Sequence, residues 1–320
     1  MILITSIMAI VFCILAGRND GSAIIALQLR TQWRVTALPF VILLACIALT
    51  PLASIRVGGT VTGLLSVEGI ESRISLILIL MATCGTLLIL NIIGIPTSIT
   101  LALVGASSGV GFAYGDANWA TVLRVLTVAL LSPFIAFALS RAIYAICCTS
   151  KIGRSADTVL LAGFTAVCVA YGANDGQKIS AVMSSALGLG LERTVSSPVL
   201  VAASTALFLM GAILGMKSGA TFIQRGTLVP DSLRVGITLW SAAIAVLASS
   251  ALGTPVSMTQ SLSGALVGTC PSNDWRRVRW AEVKRIALAW AATLPTAWIL
   301  GWGAATCSGA SGLMQLLHLL

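Results

Sequence analysis

The chain has 320 residues, of which 58% are hydrophobic and only 9% charged, with ten acids against 19 bases. Mean hydropathy is +1.01, whereas soluble domains carry about 25% charged residues, so a water-soluble globular protein is excluded. The net charge of +9 comes from scarce acids rather than a nucleic-acid footprint, and fits loops held on a cytoplasmic face by Lys and Arg.

The pattern predicts an all-α polytopic integral membrane protein whose partner is the lipid bilayer. The first apolar run, 1–17, lacks a basic leading segment and ends in Arg18-Asn19-Asp20, so it reads as a retained helix rather than a cleaved signal peptide. Runs over 36–53, 74–95 and 121–147 follow, then a linker over 151–157. A short run over 158–172 ends in the polar cluster Asn174, Asp175, Gln177 and Lys178. Further runs cover 198–216, 235–252 and 286–304, and the long ones reach or approach the ~20 residues that span a bilayer. Two segments, 94–115 and 253–272, are rich in Gly, Ser, Thr and Pro. The eight Cys residues show no CxxC spacing and read as packed thiols, and the Cys147-Cys148 pair is a weak acylation signal.

The irregular pieces match in pairs. GRNDGSAIIA from Gly17 parallels GANDGQKISA from Gly172, an offset of 155 residues. GIPTSITLALVGASSG from Gly94 parallels GTPVSMTQSLSGALVG from Gly253, an offset of 159. A polar cluster follows each (Asp116, Asn118, Trp119; Asn273, Asp274, Trp275), then a helix carrying Pro133 or Pro295. The chain is therefore a duplication, with repeats over 1–150 and 158–320 around the 151–157 linker.

Charge favours inverted halves with broken or re-entrant helices meeting near the midplane. If the Asn-Asp segments return to their own side, Arg56, Arg73, Arg141, Lys151, Arg154, Arg193, Arg276, Arg277, Arg279, Lys284 and Arg285 share one face. Arg30, Arg34, Arg124, Lys217, Arg225 and Arg234 then fall on the other. That bias places the linker in the cytoplasm and both termini outside a plasma (inner) membrane.

A carboxylate at membrane depth costs about 2.5–3.5 kcal/mol even on the lenient insertion scale. Asp20 and Asp175 therefore need partners. Each could pair locally, Asp20 with Arg18 and Asp175 with Lys178. The element shared by both halves is Asn-Asp-Gly, and Gly21 and Gly176 favour a helix break. Carbonyls exposed there beside Asn19, Asp20, Asn174 and Asp175 would suit Na⁺, or the carboxylates would accept H⁺. Pro96 and Pro255 suit first helical turns, whose free N–H groups attract anions. Ser98, Thr100, Ser257 and Thr259 would add donors. Two cation-type clusters beside two anion-type helix starts point to cation-coupled anion transport. The chain lacks HExxH, and its single His, His318, is terminal, so no enzyme is expected.

These motifs resemble the inorganic phosphate transporter (PiT) family. GANDGQK and the first Asn-Asp-Gly are similar to its duplicated signature, and GIPTSIT and GTPVSMT to its Pro-x-Ser-Thr-Thr-His segments. Val283 to Leu300, with Trp290, Thr293 and Pro295, looks like its last helix. The resemblance implies inverted repeats, a homodimer, no organic cofactor, and symport of inorganic phosphate with Na⁺ or H⁺. Sulfate is the rival substrate. It places cation binding at Asn19, Asp20, Asn174 and Asp175, with Na⁺ on the two Asp residues if sodium is the coupling ion. Ser98, Thr100, Ser257 and Thr259 would face phosphate, with Gln177 and Lys178 as asymmetric contacts. The family's His is Leu101 and Gln260 here, its middle Thr is Ile99 and Met258, and Arg18 stands where a small residue is usual.

Overall fold

The computed structural model describes residues 1–22, 24–25, 38–67, 72–92, 97–149, 156–224, 231–270, 275–276 and 278–310. Pro96, Asn273, Asp274, His318 and linker residues 151–155 lie outside them. The described residues form no strand. In the first half, α1 covers Ile2–Ala16 and runs into a π-helical turn over Gly17–Gly21. Then come α2 (Leu38–Ala53), α3 (Arg56–Leu65), α4 (Ser72–Ile92), α5 (Ile99–Tyr114) and α6 (Trp119–Thr149). The second half has α7 (Ala156–Tyr171), a second π-turn (Gly172–Gly176) and α8 (Gln177–Leu187). It continues through α9 (Leu191–Ser196), α10 (Pro198–Gln224), α11 (Ser232–Ala251), α12 (Met258–Gly268) and α13 (Trp280–Ala310).

Among the described residues, seven helices are long and apolar enough to cross a membrane, and an eighth span arises if α2 and α3, bent by 85°, count together. The protein is a multi-pass membrane protein. The outward faces carry the signature of lipid contact: Leu130, Phe134, Val199 and Leu214 are all exposed, which water would penalise.

Contacts at helix ends define two faces. α6 has 31 residues and is about 46 Å long, so its two ends mark opposite faces. At its start, Asn118 Oδ1 accepts from the Thr121 N–H at 3.0 Å, capping the helix. On this near face Tyr114 Oη and Ser308 Oγ, from the ends of α5 and α13, lie 3.2 Å apart. The Arg73 guanidinium at the start of α4 packs against Gly188, just past α8. Thr5 Oγ1 donates to Ala186 O at 2.8 Å, so α1 begins where α8 ends. At the far face, Arg141 Nη1 donates to Cys270 O (2.6 Å), just past α12, and Arg234 Nη2 at the start of α11 donates to Tyr144 Oη (3.5 Å).

Two consequences follow. The helices carrying the two Asn-Asp-Gly motifs run antiparallel. And the hairpins α4–α5 and α11–α12 enter from opposite faces, each with both ends on its own face. Their turns meet inside the molecule. Gly253, in the α11–α12 turn, has φ +71°, a left-handed conformation that suits glycine.

The expected helix break at Gly21 and Gly176 is not what forms. Backbone angles stay right-handed helical at the flanks of both segments. The chain takes one widened turn and continues, giving a single 30-residue helix over Thr158–Leu187. A π-turn inserts one residue without ending the helix, and such turns favour functional sites. This revises the charge assignment as well. Arg56 and Arg124, expected on opposite faces, line one near-face cleft. Arg141 and Arg234, also expected apart, lie together at the far end of α6. The Asn-Asp helices cross, while the Pro-x-Ser segments belong to the returning hairpins.

The halves exchange contacts. α5 packs on α13 and α12 on α6, while the first π-turn packs on α10 and the second on α2. The first Gly of each motif permits this. A Cβ on Gly17 would strike the Phe208 carbonyl of α10, and one on Gly172 the Cys46 carbonyl of α2. Small residues also allow close helix contacts: Gly105 and Gly109 face Leu294 and Trp298, and Gly264 and Gly268 face Pro133 and Phe137.

Candidate functional site

Each π-turn presents its Asn and Asp to the tip of a hairpin. In the first half, Asn19 Nδ2 donates to Asp20 Oδ1 (2.8 Å) and Thr97 O (3.0 Å), and Asn19 Oδ1 accepts from Thr97 Oγ1 (2.8 Å). In the second, Asn174 Nδ2 donates to Asp175 Oδ2 (3.0 Å) and Val256 O (2.8 Å), and Asn174 Oδ1 accepts from the Val256 N–H (3.1 Å). Thr97 and Val256 fill the same place, between the Pro and the Ser of their motifs. The two Asn residues are thus amide clamps on the hairpin backbones, and each also fixes its neighbouring carboxylate.

The two carboxylates differ in partner. Asp175 Oδ1 accepts from Lys178 Nζ at 2.8 Å, and both side chains are almost fully buried. The local pair considered for this half therefore forms. The one considered for the other half does not: no described Lys or Arg pairs with Asp20, and Arg18 Nε is buried without a partner. Asp20 is only 3% exposed. It lies within electrostatic reach of Asp175 and Lys178. The Tyr171 hydroxyl sits beside Asp20, fully buried and without a well-formed hydrogen bond.

Lys178 reaches further. Its Nζ also donates to Thr100 Oγ1 (2.8 Å) and Val256 O (2.7 Å). An ammonium has three protons, and all three are engaged. Thr100 Oγ1 in turn donates to Val256 O at 2.9 Å. Lys178 therefore ties the second Asn-Asp helix to both hairpins. Gln177 is committed elsewhere: Nε2 donates to Ala173 O (2.6 Å), and Oε1 accepts from the Gly58 N–H (3.0 Å) in the first turn of α3.

The helix starts differ too. Ser98 caps α5, its Oγ accepting from the Leu101 N–H at 3.3 Å. Ser257 precedes α12 without capping it, and its hydroxyl instead lies 2.9 Å from Thr259 Oγ1. The buried Gln260 Oε1 beside it has no partner among the described residues. The opening N–H groups of α12 thus lack a side-chain cap, and the positive end of that helix suits an anion. A cleft of about 410 Å³, lined by Arg56, Thr60, Asn118, Arg124 and Gly253, opens on the near face beside this hairpin. Arg56 Nη1 is held by Ala251 O (2.8 Å), and Thr60 Oγ1 donates to Gly253 O (2.6 Å).

All ten predicted site residues lie in or against this interior region. Sequence reasoning missed Thr97, Val256 and Tyr171. Thr97 and Val256 act largely through backbone atoms, which leave no side-chain signature. Tyr171 precedes the second motif, where the first half has Ala16, so the repeat comparison passes over it.

Fold and site together define an all-α polytopic membrane protein with a buried charged centre clamped between two hairpin tips. Comparison with known proteins sharpens this. Residues 150–301 match the model of the Phosphate transporter family. The chain is 27% identical over 222 residues to a Bacillus subtilis protein named "Probable low-affinity inorganic phosphate transporter". The match covers 65% of this chain and 66% of that one. A Rhizobium meliloti protein of the same name is 27% identical over 220 residues, 64% of this chain and 66% of the relative. A Mycobacterium leprae one is 28% identical over 227 residues, 66% and 54%. The chain thus spans about two thirds or less of the relatives it matches. Its fold superposes on a solved structure titled "The sodium-dependent phosphate transporter" with TM-score 0.78, covering 99% of both chains at 16% identity. The resemblance read from the motifs is borne out.

Proposed function

We propose that the protein is a secondary symporter that imports inorganic phosphate with Na⁺ or H⁺. The observation that carries the reading is the meeting of two hairpin tips, from opposite faces, at a buried centre of two carboxylates beside an uncapped helix start. The relatives' names supply the substrate. Moving one negative charge inward against 100 mV costs ~2.3 kcal/mol, so an anion importer needs co-moving cations. Asp20 and Asp175, positioned by Asn19 and Asn174, would handle the cation side. Ser257 and Thr259 at α12, with Ser98 across from them, would face the phosphate; the Thr100 hydroxyl, which gives its proton to Val256 O and accepts from Lys178, would not.

We also propose that the halves, 1–150 and 158–320, are inverted repeats. Antiparallel motif helices and oppositely entering hairpins support this. The far face is then cytoplasmic. Arg141, Arg234, Arg276, Arg279, Lys284 and Arg285 lie at helix ends on that face, against Arg56, Arg73, Arg124 and Arg193 on the near one. By sequence alone, Arg30, Arg34, Lys151, Arg154 and Arg225 fall between helices whose described ends are on the far face. The termini would be extracellular or periplasmic, in an inner membrane, and the assembly a homodimer.

The test is uptake of radiolabelled phosphate into proteoliposomes under separate Na⁺ and H⁺ gradients, with sulfate and arsenate as competitors. Accumulation driven by one gradient, competed by arsenate, is expected. Competition by sulfate alone would replace phosphate by sulfate, and accumulation without any cation gradient would remove the symport reading.

A further inference from the structure

The surroundings of Lys178 are those of a bound metal cation rather than of an anion site. Its Nζ is held by three oxygens from three segments: the Asp175 carboxylate on the motif helix, the Thr100 hydroxyl on one hairpin and the Val256 carbonyl on the other. The distances are 2.8, 2.8 and 2.7 Å. A carboxylate, a carbonyl and a hydroxyl form an all-oxygen set of the kind that coordinates hard cations. No anion can bind this ammonium without breaking one of those bonds.

The first half offers the contrast. The position equivalent to Lys178 is Ala23 by sequence, so that repeat supplies no ammonium. Asp20 is buried, Asn19 orients it, and no described base pairs with it. The buried Tyr171 hydroxyl beside it lacks a well-formed bond. One repeat holds a carboxylate satisfied by a fixed cation, and the other a carboxylate with none among the described residues.

We infer that Lys178 is a tethered cation occupying the second-half cation site, so that this half contributes no mobile coupling ion. The transported cation is confined to the Asp20 half, and each turnover carries one cation fewer than two like halves would. This deepens the symport reading and rests on it. It also predicts cation binding that can be read without phosphate.

The experiment uses the full-length protein in detergent with Lys178→Ala and, to preserve the apolar stem, Lys178→Met. Thermal unfolding is followed in sodium chloride and in choline chloride at equal ionic strength, without phosphate. Both variants should be destabilised in choline and regain Tm with rising sodium, by a larger sodium-dependent shift than wild type shows. A site that binds only the folded state stabilises it by mass action. In proteoliposomes, ²²Na⁺ and labelled phosphate counted together should show one more sodium per phosphate in Lys178→Ala than in wild type. A folded variant with a sodium shift no larger than wild type would overturn the inference. So would failure of both variants to fold in either salt, because sodium should replace the missing ammonium. Sodium rescue without phosphate uptake by any form would leave the tethered cation standing and sink the phosphate reading instead.

Discussion

Lys178 Nζ and Asp175 Oδ1 stand 2.8 Å apart, with 2% and 4% of their side chains exposed. Removing one partner of such a buried pair costs about 3–5 kcal/mol, because the other charge is left uncompensated. Asp175→Asn should therefore lower Tm strongly and abolish phosphate uptake. Adding Lys178→Met should recover much of the lost stability while uptake stays absent. Thermal unfolding of the single and double variants checks this. An Asp175→Asn protein with the Tm of wild type would show that the pair does not hold the centre together.

The Asn174 amide is a separate lever. Its Nδ2 donates to Val256 O and its Oδ1 accepts from the Val256 N–H. Asn174→Asp keeps the shape but turns the donor toward Val256 O into an acceptor. Loss of uptake should exceed that of Asn174→Ala, since two facing acceptors repel where a truncation only leaves groups unpaired. Asn19→Asp and Asn19→Ala should repeat the order. Equal losses for the two substitutions would argue against the clamp.

Close helix approach at Gly17 gives a steric prediction. A Cβ there would meet the Phe208 carbonyl, whereas Gly59 has nothing within 4 Å. Gly17→Leu should prevent recovery of monodisperse protein, and Gly59→Ala should leave yield and Tm within experimental error of wild type. Size-exclusion chromatography of the two, expressed side by side, separates the outcomes.

Arg124 is exposed in the near-face cleft. If anions approach there, Arg124→Gln should raise the KM for phosphate severalfold with little change in maximal rate. Steering by an exposed charge is screened by salt, so the gap from wild type should narrow as ionic strength rises. A change in maximal rate alone would place Arg124 outside the approach route.

The sequence disclosed the apolar helices and both motif pairs, because each rests on residue type at fixed spacing. What it concealed has physical reasons. Helix continuity through Asn-Asp-Gly was hidden because a glycine permits a break without requiring one, and packing against Phe208 and Cys46 holds the chain in helical form. Arg56 was assigned to the wrong face because that depended on which apolar runs cross and which return. Periodicity is the same for both. Lys178 read equally well as an anion ligand or a counter-ion. Its bonds to Thr100 and Val256, 78 residues away in opposite directions along the chain, leave no trace in local spacing.

The exchange of helices between halves bears on how such a chain could have arisen. α5 rests on α13 and α12 on α6, so the hairpin of each repeat is seated on the last helix of the other. A single unduplicated repeat would leave its hairpin without that seat and its Asn-Asp turn without the α10 or α2 surface that covers it. Two separate copies of one such unit, inserted in opposite orientations, would meet these needs. A difference such as Lys178 against Ala23 needs both halves in one chain, because a gene making identical copies cannot encode a residue in only one of them.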